Sequence, residues 1–459
     1  MTVGTTNFPG SLDSHVNASP LGFGEVNNQA YTLSTAAHTA AVTTLTVAST
    51  SKFSSKGFIV VKRELISYTG KTSTTFTGCT RGVGGTTAAA FLSGTLVEQV
   101  PVAANHNDLA AAIVAIETAM GARLATLTRK NRVINGDMRV QQRTTLGSTD
   151  DSFTLDRWTL LLEAATAATV TQETSDVPTD GSKYGLKLTV GASNNNKFGI
   201  ATYLEFRDVA DLRGKTVSLQ AKLKASDARI GDVRMAVLEW TGTADTLTSD
   251  VVSSWGSAGT NPTLAASWAY LGTPANLSPT TSWATYRVEG LTVGASANNL
   301  AVLIWCDDKT TTAGDTLTIT DVQLEEGPTC SGVERRPFAQ ELQLCQRYFE
   351  AAGGSGGLFD CFGLGAWVST TDARIIFYFQ TRKRTTPAVS VSSVTHLKLT
   401  YLTSWAGDIE TSAVSTAYGG VTAIALDVDV GSAVGTAGHP CMLFAASTAS
   451  ARVFFSAEL

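Results

Sequence analysis

Only one long segment of this 459-residue chain, residues 105–134, repeats its apolar residues at helical spacing. Almost everything else is short runs of β-branched and aromatic residues. "GFIVVKRELISYTG", "KTVSLQAKLKA", "DVRMAVLEW", "NLAVLIWCDD" and "ARIIFYFQ" are examples, parted by Gly, Asn, Ser and Asp. Such runs read as strands between turns. A chain written this way is mainly β. With 43% hydrophobic residues it has enough apolar material for real cores.

The runs divide into blocks. Residues 1–30 are polar, carry little apolar period and read as an extended arm without a core of its own. Residues 31–104 read as a small β domain. Residues 135–342 hold several strands without helices, which suits a two-sheet, jelly-roll-like sandwich with long loops. Residues 343–459 open with the flexible "AAGGSGG" and read as a smaller β-sandwich tip that ends on a strand.

In the helical block, Leu109, Ile113, Ile116, Met120, Leu124, Leu127 and Ile134 are spaced by 4, 3, 4, 4, 3 and 7. They make one narrow stripe. Two outcomes stay open. The helix packs on a neighbouring sheet, or it forms a short coiled coil joining identical chains, which a narrow seam favours. Gly121 weakens the isolated helix by about 1 kcal/mol, so the helix needs partners.

Composition excludes several functions. A formal charge of −5 with no basic stripe argues against nucleic-acid binding. The tight basic cluster Arg382-Lys383-Arg384 reads as a solvated loop rather than a phosphate site. No run of 18 apolar residues predicts a membrane helix. The first residues lack the layout of a signal peptide, so folding in the cytoplasm is expected. There is no GxSxG, HExxH or phosphate-loop motif, and the five histidines are isolated. No enzyme activity and no cofactor are expected. The six cysteines show no metal spacing and are expected as free thiols, with a Cys330–Cys345 bridge the one alternative. No metal site is assigned. The acid pairs Asp150-Asp151 and Asp307-Asp308 can hold Ca²⁺ through loop oxygens, but solvated loop acids are the plainer reading.

The aromatic residues carry the binding expectation. Trp240, Trp255, Trp268 and Tyr270 fall in or beside "SSWGSAGTNPTLAASWAY", a Gly/Ser/Thr-rich context. Packing is one explanation. The other is that flat rings in a polar loop stack on sugars while neighbours bond the hydroxyls. Trp158 and Trp305 read as core.

The stretch 321–350, "DVQLEEGPTCSGVERRPFAQELQLCQRYFE", is unusually charged. "DVQLEEG" reads as the last sandwich strand, with Val322 and Leu324 inward and Gly327-Pro328 ending it. A short helix is predicted after Pro337, with Leu342, Cys345 and Phe349 on one face. Glu334, Arg335, Arg336 and Arg347 read as a junction that fixes the tip on the sandwich, or one chain on another. Their arginines suit bidentate pairing with Glu334, Glu341 or acids of a neighbouring chain.

Several of these segments together resemble tailed-bacteriophage tail and head fibre proteins. The arm "TTNFPGSLDS", the module "ELISYTG…TTFTGCTRGVGGTTAAA" and the helix "NHNDLAAAIVAIETAMG" follow one another in the order of that family. "NRVINGDMRVQQR…LDRW" resembles the opening of a sandwich related to carbohydrate-binding modules. The 321–350 stretch resembles that sandwich's junction to a distal tip, and "FFSAEL" the tip's last strand. The resemblance implies a homotrimeric virion protein. It docks by residues 1–30 on tail, baseplate, neck or capsid proteins and presents its sandwiches to a host-surface polysaccharide. Two rivals stand beside this adhesive reading: a purely structural head, neck or collar fibre, and a polysaccharide-degrading enzyme.

Overall fold

A computed structural model describes residues 30–99, 113, 130–192, 194–247, 250–308, 310–354, 359–401, 404–446 and 448–459, with backbone alone at 404–408. The expected arm lies outside these residues, apart from Ala30. So do Leu109, Ile116, Met120, Leu124 and Leu127; Ile113 is helical and exposed. The chain divides into two units, Met1–Thr128 and Arg129–Leu459. Among the described residues no helix is long and apolar enough to cross a membrane.

In the first unit, strict alternation sets the strands. "GFIVV" (Gly57–Val61) and "ELISY" (Glu64–Tyr68) bury every second side chain. They join Leu96–Gln99 and Tyr31–Leu33 in a four-stranded antiparallel sheet. A three-stranded sheet of Leu45–Thr46, Thr75–Thr77 and Gly70–Lys71 accompanies it. Ile59, Ile66, Phe76 and Val97 are in the shared core.

The second unit begins with a sandwich of two five-stranded antiparallel sheets. One sheet orders its strands Ala284–Thr292, Thr216–Ala225, Thr316–Glu326, Gly185–Val190 and Ala168–Glu173. The other runs Trp268–Tyr270, Val233–Trp240, Asn299–Cys306, Phe198–Leu204 and Thr159–Leu162. Leu219, Leu223, Ile319, Val322 and Leu324 of the first sheet meet Ile200, Met235, Val302 and Ile304 of the second. The second sheet is buried on its outer face too, where Ala201, Tyr203, Leu238, Leu303 and Trp305 form another apolar cluster. That is why every residue of Phe198–Leu204 and Asn299–Cys306 is buried.

The "NGD…LDRW" residues strap the entry of this sandwich. Trp158 Nε1 donates to Asn135 O at 3.0 Å, and Asn135 Nδ2 donates to Asp156 O and Val140 O, both at 2.9 Å. A side chain at Gly136 would lie 2.1 Å from Val322 O, so the strap needs glycine there. Ile134, expected on the oligomerisation stripe, is not on a helix. It is buried against Val140, Cys345 and Tyr348 inside its own unit. Its spacing of seven matched the stripe by coincidence.

The C-terminal part is not a second sandwich. Six strands close into a barrel: Cys361–Trp367, Asp372–Tyr378, Ala423–Val430, Ser404–Gly419, Leu397–Tyr401 and Pro440–Ala445. Pro440–Ala445 pairs on both sides, which closes the ring and leaves no free edge. Sandwich and barrel strands alternate alike, so alternation cannot tell them apart. A three-stranded sheet beside the barrel carries the final strand, Val453–Ser456, between Phe349–Ala352 and Ala388–Val391. Phe349 therefore belongs to a strand, while the helix after Pro337 spans Phe338–Gln346. All six cysteines are free, and Cys345 is sealed in the core, so no Cys330–Cys345 bridge exists.

Candidate functional site

The loop aromatics are not open to solvent. Trp240, Trp255 and Trp268 are 5%, 8% and 7% exposed, and Tyr270 is half-buried. The strands Val252–Ser254 and Thr263–Leu264 pair into a small hairpin, and this segment covers the outer face of the second sheet. The rings pack on one another: Trp240 and Trp268 have centroids 5.2 Å apart, Tyr203 and Trp268 6.2 Å, Tyr270 and Trp305 6.5 Å. Trp240 Nε1 donates to Thr243 O and Tyr270 Oη to Pro262 O, which removes the polar cost of burying them. Stacking a sugar on these rings requires the cover to leave.

Buried charges fasten the cover. Lys197 Nζ donates to the carbonyls of Trp255, Ser257 and Thr260 at 2.9, 2.8 and 3.1 Å. Asp307 accepts from Gly259 N at 2.6 Å. Arg234 grips Asp232 with two nitrogens and Asn261 with the third. Asp308 accepts from Asp232 N at 2.6 Å. Asp307 is thus no solvated loop acid, because Lys197 matches its charge and neither side chain is exposed; Asp308 stays in a half-exposed loop position.

The junction residues pair within the chain. Arg336 Nη1 donates to both oxygens of Glu341 at 3.1 and 3.0 Å, and its guanidinium also caps the carbonyls of Asn131 and Val133. Glu334 accepts from Asn131 N at 2.6 Å. Arg335 pairs with Asp321 at 2.7 Å. Arg347 holds Glu205 through Nε and Nη2, and the hydrogen bonds it donates to Glu205 keep this arginine's affinity for its proton raised. Their side-chain hydrogen-bond partners lie in the sandwich, its entry strap or the Phe338–Gln346 helix, and the Arg347 carbonyl accepts from Arg384 N at 2.9 Å. Of Arg382-Lys383-Arg384 only Arg382 is exposed: Lys383 is buried against Glu350, and Arg384 donates to Ala457 O and Glu458 O.

Among the described residues, one open cleft of the second unit has the chemistry of a sugar site. About 350 Å³ in volume, it lies where the sandwich entry meets the three-stranded sheet, lined by Arg143, Thr144, Thr145, Phe349, Ser390 and Phe454. The Arg143 guanidinium sits 3.7 Å from the Phe349 ring centre, and Phe349 stacks on Phe454 at 5.8 Å. Arg143 Nη2 is held by Glu458 at 2.9 Å, while Nη1 is buried without a hydrogen-bond partner. Thr144, Thr145 and Ser390 are exposed around it, and Phe454 is half-buried. The half-buried Phe454 ring, exposed hydroxyls and a guanidinium in a space of this size suit one or two sugar rings. Sequence reasoning missed these residues because the cleft joins positions more than two hundred apart. Only the basic "QQR" beside the entry motif pointed there.

No protein-family model matches the chain, and no curated protein matches it. Solved structures do align with part of it. A tailspike protein 4 domain of bacteriophage CBA120 aligns at 14% identity and TM-score 0.27, covering 43% of this chain and 21% of that one. A putative sugar-binding protein from Bacteroides thetaiotaomicron aligns at 14% identity and TM-score 0.27, over 43% of this chain and all (100%) of that one. A xylan-binding domain of carbohydrate-binding module family 22 aligns at 13% identity and TM-score 0.27, over 44% and 99%. The chain thus spans about a fifth of the tailspike domain it matches. Likenesses of this size carry no functional argument, and the reading below stands on the cleft.

Proposed function

We propose that this chain is a non-catalytic virion fibre protein of the tailed-bacteriophage type, a homotrimer docked by residues 1–30, whose second unit holds host-surface polysaccharide in the Arg143 cleft. The cleft carries the reading: it is roomy, rimmed by exposed hydroxyls, and joins them to an aromatic ring and a cation. Three copies per fibre turn weak contacts into adhesion by avidity. The ordered fibre-type segments along the sequence support the virion part.

Ser390→Trp fills the cleft from an exposed position. Labelled protein is expected to bind host cells saturably, and Ser390→Trp to abolish that binding with the fold intact. Equal binding by both would sink the assignment of the cleft. Light scattering on purified protein at micromolar concentration is expected to give a trimer; a monomer would sink that part alone.

One observation favours a head, neck or collar fibre that contacts no receptor: the loop aromatics are covered rather than presented. In that case labelled protein shows no saturable binding to host cells. A turnover assay on host polysaccharide is expected to be negative under either reading.

A further inference from the structure

The barrel turns an apolar row outward. Its strands pair so that Met442, Leu364, Ile376, Ala425 and Tyr418 stand side by side across five of its six strands. Their chain neighbours Leu443, Ile375 and Leu426 fill the barrel's core, so alternation points the row the other way. Leu364 is 55% exposed, Ile376 40% and Tyr418 68%. Tyr378, two residues past Ile376 on the same face, is 74% exposed. Two tyrosines this open offer on the order of 250 Å² of surface. Leu364 and Ile376 bring the patch to the size of the largest apolar patch on a typical monomer, about 300–600 Å². A stable interface takes about 800 Å² from each partner, with its apolar part in the middle. The row has the size of that middle.

Closure of the ring limits how a partner can attach. Every barrel strand is paired on both sides, so no strand can be added and a partner must meet side chains. Charge then selects the partner. The outward positions that begin at Asp372 run from acid to base. Asp372 stands opposite Asp429, and their hydrogen bond, with burial, raises the affinity of Asp429 for its proton. Like charges placed so repel. Arg374, the next outward residue, is taken by Asp427 at 2.9 Å, and among the described residues neither Asp372 nor Asp429 has a cation of its own. At the far end, four residues past Tyr378, Arg382 is exposed and has no acid partner among the described residues. A neutral sugar would match neither end. A second copy of the same surface matches both, with acid end against basic end and apolar rows between them. In a closed ring each copy gives one end to each neighbour.

We propose, resting on the homotrimer reading above, that this outer face of the barrel is a contact between copies of the chain. Leu364, Ile376, Tyr378 and Tyr418 form its centre. Asp372 and Asp429 of each copy meet Arg382 of the next. The tip then takes part in assembly itself, beside the helical block.

The test uses the full chain, sized by light scattering at micromolar concentration and oxidised with hydroxyl radicals. Mass spectrometry reads the rate at each tyrosine. The parent is expected to be a trimer whose Tyr378 and Tyr418 react about fivefold or more slowly than in Leu364→Glu, which sets a charge in the apolar row. Tyr184, exposed on the sandwich, is expected to react alike in both. Arg382→Glu is expected to speed both tyrosines and Arg382→Lys to leave them covered; unchanged rates in Arg382→Glu overturn the pairing of the two ends. A trimer whose Tyr378 and Tyr418 react as fast as in Leu364→Glu overturns the surface and leaves the trimer standing. A monomeric parent overturns the trimer and the surface with it. A dimer with covered tyrosines supports the surface and sinks the threefold reading alone. Tyrosines covered only after host polysaccharide is added overturn the proposal, because the surface then belongs to the sugar. Should Leu364→Glu fail to fold, Tyr378→Glu takes its place with Tyr418 as the reporter.

Discussion

The Lys197 ammonium and the Asp307 carboxylate lie 2.5 Å apart, and neither side chain has any exposed surface. Each also bonds the backbone of the segment above it. An ion pair taken out of water survives only when its remaining donors and acceptors are satisfied, and the carbonyls of Trp255, Ser257 and Thr260 and the amide of Gly259 do this. The polar loop and the buried charges therefore require one another.

Lys197→Met is expected to cost about 3–5 kcal/mol, because the buried Asp307 then loses its near cation and keeps only Arg234, 3.6 Å away. Adding Asp307→Asn to it is expected to cost less than the two single changes summed, since the sites touch. Urea denaturation of the four proteins measures both terms. A loss below about 1 kcal/mol for Lys197→Met would show that the pair does not hold the cover.

Trp268→Ala is expected to destabilise by about 3–5 kcal/mol, the cost of emptying a buried aromatic site. The same change is expected to leave binding by the Arg143 cleft intact wherever the protein remains folded. Denaturation curves, followed by cell binding below the melting point, separate the two effects.

Arg336→Ala leaves Glu341 buried without its cation and uncaps two carbonyls, for an expected loss of about 3 kcal/mol or more. Arg336→Lys is expected to recover only part, because an ammonium cannot reproduce the guanidinium's fork. The partners are in the same chain, so the fall in melting temperature should not depend on protein concentration. Concentration-dependent melting differences would return Arg336 to an interface between chains.

Asp156 gives a pH signature. Burial pushes its carboxyl up to about 6, against the pull of Arg143 and the hydrogen bonds from Gln142. Its unfolded value is about 3.9. The folded state thus holds this proton more tightly, so its contribution to stability is fully present below about pH 4 and is lost as the pH rises through about 6. Asp156→Asn is expected to remove that fall. The stability of the variant relative to the parent should rise by on the order of 2–3 kcal/mol across the window. Melting curves at steps between about pH 4 and 7 check it; parallel curves would contradict it.

Strands were legible because alternation is local. "GFIVV" and "ELISY" declared their faces, and Val322 and Leu324 declared theirs. The helix after Pro337 was legible from three apolar residues, although Phe349 had already left it. Closure was not legible, because a barrel and a sandwich differ in which strand pairs with which, not in what each strand contains. The tryptophans were misjudged for a related reason. Trp255 and Trp268 sit among small polar residues, and nothing local reveals that Lys197, some sixty positions earlier, folds that stretch down. The Arg143 cleft is a product of topology, since its lining comes from segments far apart in sequence.

Lys197 and Lys383 are both shut inside the fold, each against its own carboxylate. To an amine-reactive reagent in solution, the native chain therefore lacks two of its lysines. One lies under the cover of the sandwich, the other against Glu350 on the strand that pairs with the last one. Each can react only when its own part of the molecule opens. Their rates of modification would be two separate clocks in one protein, one timing the lifting of the tryptophan cover and the other the release of the tip.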